Sequence, residues 1–145
     1  MPEAVHTLTD GVLLYTDGAS RGNPGDAAIC YRILSPTGQV FDEHAEWIGR
    51  ATNNQAEYRA LIAGLERAAA IMSGPVECRS DSELMIKQMR LEYRVKQAEL
   101  KSLWDRAQEL GRRCSKVEFT HVPRTDPDIV RADELANQAL NAHAG

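Results

Sequence analysis

The chain has 145 residues, a length that suits one domain, and its 43% hydrophobic content is ordinary for a soluble globular protein. No apolar run approaches the ~20 residues of a membrane-spanning helix, and three widely separated cysteines, Cys30, Cys78 and Cys114, exclude a disulfide framework and a zinc knuckle. The net charge of −4 counts against a general nucleic-acid binder, although a carboxylate site built to hold cations contributes negative charge of its own.

Residues 1–10 are mixed and partly acidic, unlike a signal peptide, so a short N-terminal tail, a single domain over 11–143 and a cytoplasmic setting are expected. Residues 12–17 form a continuous apolar strand ending in Asp17, the pattern of a strand buried on both faces. Asp17 to Asp26 is rich in turn residues and is predicted to be a loop. Residues 27–34 alternate as a second strand, and Ser35-Pro36-Thr37-Gly38 turns into a third at 39–48. A helix spans 53–72, with Leu61, Leu65, Ala68 and Met72 on one face and Glu57 on that same face. Gly74-Pro75 ends it. A short strand at 76–80 precedes a short helix at 82–90. A longer helix at 96–112 carries Leu100, Leu103, Trp104, Ala107 and Leu110 as its stripe. The last strand is 117–122. A loop at 123–130 contains two prolines, and a final helix at 131–143 turns Ala132, Leu135, Ala136, Ala139 and Leu140 inward. The order β-β-β-α-β-α-α-β-α implies an α/β fold: a five-stranded mixed sheet, an antiparallel meander plus parallel strands, flanked by helices.

Four carboxylates sit where apolar segments begin or end: Asp17, Glu57, Asp81 and Asp133. Taken singly, each has a plain reading. Asp17 starts a turn, Asp81 caps the helix at 82, and Glu57 and Asp133 are early-helix acids favoured by the helix dipole. Taken together, carboxylates beside a core are costly unless paired or bound to metal. If the strands before Asp17 and Asp81 run parallel and adjacent, both acids emerge at one sheet edge, where open α/β sheets place their sites.

Five segments occur in an order that resembles type 1 ribonuclease H: Tyr15-Thr16-Asp17-Gly18-Ala19-Ser20-Arg21-Gly22-Asn23-Pro24-Gly25, Thr52-Asn53-Asn54-Gln55-Ala56-Glu57, Ser80-Asp81-Ser82-Glu83-Leu84, His121-Val122-Pro123-Arg124, and Ala132-Asp133-Glu134-Leu135-Ala136-Asn137. The resemblance covers residues 11 to 140 and implies a ribonuclease H-like fold and an endoribonuclease that cuts the RNA strand of an RNA–DNA hybrid. It implies two magnesium ions, with manganese able to substitute, held by Asp17, Glu57, Asp81 and Asp133. It also implies 5′-phosphate and 3′-hydroxyl product ends. It puts the amides of Asn23, Asn53 and Asn54 on the RNA minor groove, where the 2′-hydroxyl distinguishes RNA from DNA. Turn formation and helix capping are their alternative uses. Arg50, Thr52 and the helix start at 53 would make a DNA phosphate pocket. Glu83 would lie beside the site, and His121 would assist proton transfer or product departure.

Two departures from the family pattern stand out. The stretch 124–131 reads as a longer loop than usual before Ala132-Asp133. The basic residues of 87–113 are interleaved with acids, and the helix connection there is short, so a compact form without the basic protrusion or a hybrid-binding domain is expected. The expected protein is a monomer with no membrane contact and no obligatory protein partner. Its rivals are a nuclease of the same fold acting on double-stranded RNA or branched DNA, and a binding module without catalysis. The Gly18–Gly25 stretch lacks the Gly-Lys-Ser/Thr ending of a phosphate loop.

Overall fold

In the computed structural model, which describes residues 11–144, the strands are β1 Val12–Gly22, β2 Gly25–Leu34, β3 Val40–Ala51, β4 Val76–Ser80 and β5 Val117–His121. The helices are α1 Asn53–Ile71, α2 Glu83–Met89, α3 Ala98–Arg112 and α4 Pro127–Ala144. The tail expected over 1–10 lies outside the described residues. The strands form one sheet in the order β3-β2-β1-β4-β5. β1, β2 and β3 pair antiparallel, while β4 runs parallel to β1 and β5 parallel to β4. This is the mixed five-stranded α/β sheet that the element order implies.

Two boundaries differ from expectation. The predicted loop over 17–26 is mostly strand: β1 continues through Asp17 to Gly22 and pairs with β2 down to Gly22–Gly25. Only Asn23-Pro24 turns. Gly18 and Ala19 are small because α1 and α4 press on this stretch, and the Ser20 hydroxyl donates to the Ala51 carbonyl at the end of β3. The second correction is at α4, which begins at Pro127 rather than 131. A carboxylate oxygen of Asp126 accepts from the N–H groups of Asp128 (2.9 Å) and Ile129 (3.3 Å). Proline then occupies the first helical position, where its missing N–H costs nothing. The stretch read as a long loop is therefore a short connection plus one helical turn, and Ile129 is buried in it.

Side chains alternate across the sheet. One face packs Leu14 and Ile33 against Leu61 and Leu65 of α1, with Met85 of α2 and Leu100 and Leu110 of α3 completing the cluster. The other face packs Ala28 and Cys30 against Ala132, Ala136 and Leu140 of α4. Cys30 and Cys78 are buried strand residues and Cys114 follows α3; all three are free thiols. Residues 90–97 alone join α2 to α3, which leaves no protruding basic helix. Among the described residues, no helix is long and apolar enough to cross a membrane.

Candidate active site

β1 and β4 pair from Val12–Val76 to Tyr15–Arg79 and then part. Asp17 and Asp81 each lie two residues beyond that last pair, level with one another in the register. β1 runs on beside β2, whereas β4 gives way to α2. The fork between them is the sheet edge that the sequence implies, although Asp17 sits inside a strand and not at its end. The capping role open to Asp81 is taken by Ser82, whose hydroxyl accepts from the Met85 N–H. Asp81 is left free for other work.

Glu57 arrives from α1. Thr52 caps that helix in a reciprocal box with Gln55, the arrangement that satisfies orphan N–H groups at a helix start. Asn53 and Asn54 are thus freed from capping. Gly18 N–H donates to Glu57 Oε1 at 2.9 Å. A Cβ at residue 18 would lie 2.3 Å from the Ala56 carbonyl carbon, so only glycine lets β1 and α1 approach this closely. Carboxylate oxygens of Asp17, Glu57 and Asp81 consequently lie within 4.8 Å of one another.

These three acids line a cavity of about 590 Å³ together with Asp133, Asn53, Asn54, Arg124 and Asn137. The early start of α4 moves Asp133 into the second helical turn, and the Asn137 amide donates to its Oδ1 at 3.2 Å. Burial pushes the Asp17 carboxyl far above the ordinary carboxylate range, and the charges of Glu57, Asp81 and Asp133 add to this. Glu57 is raised by burial and by Asp81, against the stabilising Gly18 N–H. Asp81 is raised by burial, with Arg124 opposing. Like charges confined to a partly desolvated pocket resist ionising together. Among the described residues, none of these acids has an ion pair with Lys, Arg or His. A hard divalent cation is the counter-charge that an all-oxygen donor set takes best, so the residues fit the implied metal.

The remaining predicted residues are not part of the cavity wall. Asn23 is at the β1–β2 turn, and its Oδ1 accepts from the Asn53 N–H at 3.1 Å, tying the turn to the start of α1. Arg50 is exposed on β3, paired across the strand with Asp26. Glu83 is exposed in the first turn of α2 and pairs with Lys87 at 3.2 Å. His121 ends β5, with Nδ1 3.9 Å from Glu83 Oε2, and does not line the cavity. Arg124 and Asn137, which also line the cavity, have no role in the sequence reading. Asn137 was findable from its i,i+4 spacing to Asp133. Arg124 depends on the fold of the β5–α4 connection, which no local pattern announces.

A sheet forked between parallel strands, with a carboxylate cluster at the fork, defines an acidic-site α/β domain, and residues 15–139 match the family described as "Reverse transcriptase-like". The chain is 46% identical to Ribonuclease HI of Halobacterium salinarum over 88% of its length, spanning 63% of that relative. The crystal structure of RNase H1 from the same archaeon superposes with a TM-score of 0.87 at 45% identity, over 91% of this chain and 98% of that one. The structure of LC11-RNase H1 in complex with RNA/DNA hybrid gives a TM-score of 0.86 at 37% identity, over 92% and 99%. A bifunctional protein of Mycobacterium tuberculosis is 40% identical over 92% of this chain, which spans 36% of its length. The chain belongs to the ribonuclease H family of nucleases.

Proposed function

We propose that this chain is an endoribonuclease that hydrolyses the RNA strand of RNA–DNA hybrids, using two magnesium ions for which manganese can substitute, and leaves 5′-phosphate and 3′-hydroxyl ends. The observation that carries this reading is the meeting of Asp17, Glu57 and Asp81 within 4.8 Å. They come from β1, α1 and the end of β4, with Asp133 on the same cavity wall. The hybrid bound to a relative of this length supports the choice of substrate.

Asp17, Glu57, Asp81 and Asp133 would hold the cations. Bound there, divalent cations supply Lewis acidity that activates water and stabilises the leaving oxygen. The protein's own groups do the rest. Asn53 and Asn54, released from capping by Thr52, offer amides toward the minor groove, and Asn23 fixes the helix start that carries them. A 2′-hydroxyl is donor and acceptor at once, so an amide satisfies it where a deoxyribose leaves the amide unpaired. Arg50 and the N-terminus of α1 are the anion-attracting groups beside this surface. Glu83 and His121 form a pair near Asp81 that is able to pass a proton to or from solvent. The protein acts as a monomer in the cytoplasm without an obligatory protein partner.

A labelled panel of RNA–DNA hybrid, double-stranded RNA, double-stranded DNA and branched DNA, each with magnesium and with chelator, tests this directly. The hybrid's RNA strand alone is cut, and chelator stops it. Preferential cutting of double-stranded RNA or branched DNA assigns the site to another substrate, and hybrid binding without turnover in either metal removes the catalytic reading.

A further inference from the structure

We propose that Arg32 is a positioning residue that fixes α4, and Asp133 with it, over the carboxylate site, an inference that rests on the function just proposed. Arg32 lies on β2 beneath the start of α4 and is only 7% exposed. Its neighbours on the same face of β2, Cys30 and Leu34, are buried and uncharged. A guanidinium among them is costly unless acids come to it. Glu43 comes from β3, directly across the strand pair, with Oε2 3.1 Å from Arg32 Nε. Asp128 comes from the first turn of α4, with Oδ1 3.6 Å from Arg32 Nη2. Tyr15, opposite Arg32 on β1, turns its hydroxyl to Arg79 Nη1 at 2.7 Å instead. Nε and Nη1 of Arg32 have no hydrogen-bond partner among the described residues, so its link to Glu43 is a charge contact, and the acid that α4 brings is Asp128.

The second support is the surface on which α4 rests. Ala28 and Cys30 of the sheet face Ala132 and Ala136 of the helix. Side chains this small let the helix come close, but they make shallow ridges and grooves, and ridges seated in grooves are what resist sliding. A charge pair specifies one placement where apolar contacts tolerate several. Polar and aromatic fixings hold the C-terminal half of α4: Arg21 Nη2 donates to Asn141 Oδ1 at 2.6 Å, and the rings of Trp47 and His143 stack at 3.7 Å. Arg32 and Asp128 hold the other end. Asp133 lies between the two fixings, about 7.5 Å along the helix from Asp128 at about 1.5 Å per residue. The turn that begins α4 at Pro127 is what brings Asp128 to Arg32.

Binding of manganese alone, with the free ion counted by electron paramagnetic resonance, tests this role without relying on turnover. Arg32→Met and Asp128→Asn should each weaken manganese binding roughly fivefold. The double variant should bind no more weakly than either single one, as for two groups that act as one link. The sign separates positioning from plain charge. Acting through space alone, loss of the guanidinium would tighten a nearby cation and loss of the carboxylate would loosen it. An Arg32→Met protein that binds manganese as tightly as the parent, or more tightly, therefore overturns the proposal, even if it melts lower. So does unchanged binding in Asp128→Asn, a variant that leaves Arg32 paired with Glu43 and the fold supported. Losses that add in the double variant also overturn the link. Failure of the parent to bind manganese at all overturns the metal reading itself, and this role with it.

Discussion

The two faces of the sheet are built from different materials. Toward α1, α2 and α3 the buried residues are bulky: Leu14, Ile33, Tyr58, Leu61, Leu65, Met85, Leu100 and Leu110. Toward the middle of α4 they are small, Ala28, Cys30, Ala132 and Ala136, closed by Leu140 at one end and by the bulkier Tyr15, Leu34 and Ile129 at the other. Each large apolar side chain contributes about 1.5–3 kcal/mol on full burial, so the first face supplies most of the stability. The second supplies proximity, because the separation of packed elements follows the size of the side chains between them. Asp17 points to the α4 side of β1, in line with Tyr15 and Ala19, and a close α4 is what brings Asp133 to it. One face makes the domain stable and the other sets the spacing of the acids.

The sharpest division between the two is chemical. Asp17→Asn should abolish hybrid cleavage while the metal-free protein melts no lower than the parent, since a buried carboxyl crowded by three others is replaced by a neutral amide. Cleavage at the parental rate would end the metal-site reading. Leu61→Ala, on the bulky face, should cost about 2–5 kcal/mol in chemical denaturation with kcat close to parental below the melting range. Ala136→Leu, on the small face, should cost less, about 1–3 kcal/mol of overpacking, but lower kcat more, because it lifts α4 and Asp133 with it. If Leu61→Ala lowers kcat more than Ala136→Leu, the division of labour is wrong.

The smallest effect concerns pH. Asp17, Glu57 and Asp81 are all raised above their unfolded values in the metal-free protein. Their contribution to stability is therefore complete below the unfolded range near about pH 4 and is lost as pH rises through the folded values. Calorimetry without metal should find the melting temperature falling from mildly acidic to mildly alkaline pH. Magnesium should raise it more at the alkaline end, where fewer protons compete for the carboxylates. A metal-induced rise that is larger in acid would contradict the shifts.

Much of this was legible in the chain. The strand at 76–80, the helix read over 53–72 and the inward stripe of α3 follow from periodicity, and the four acids follow from their places beside apolar runs. The misread stretches have physical causes. Gly18 and Ala19 have the composition of a turn, but here smallness serves close packing under α1 and α4, and composition cannot separate the two uses. Pro127 looks like a breaker, yet a proline one residue after a capping aspartate begins a helix. Asp81 was open between cap and ligand until Ser82 took the cap. Arg124 and Asn137 lie within quoted segments, but what they face depends on where α4 starts.

The contact between Gly18 and the Ala56–Glu57 backbone bears on how freely this chain can vary over time. Any side chain at residue 18 collides with the main chain of α1 at 2.3 Å, and a helix is too stiff to yield locally, so the substitution shifts Glu57 away from its neighbours. A position that drift can hardly alter thus does no chemistry of its own. A library of all residues at position 18, selected for hybrid cleavage, should return glycine alone.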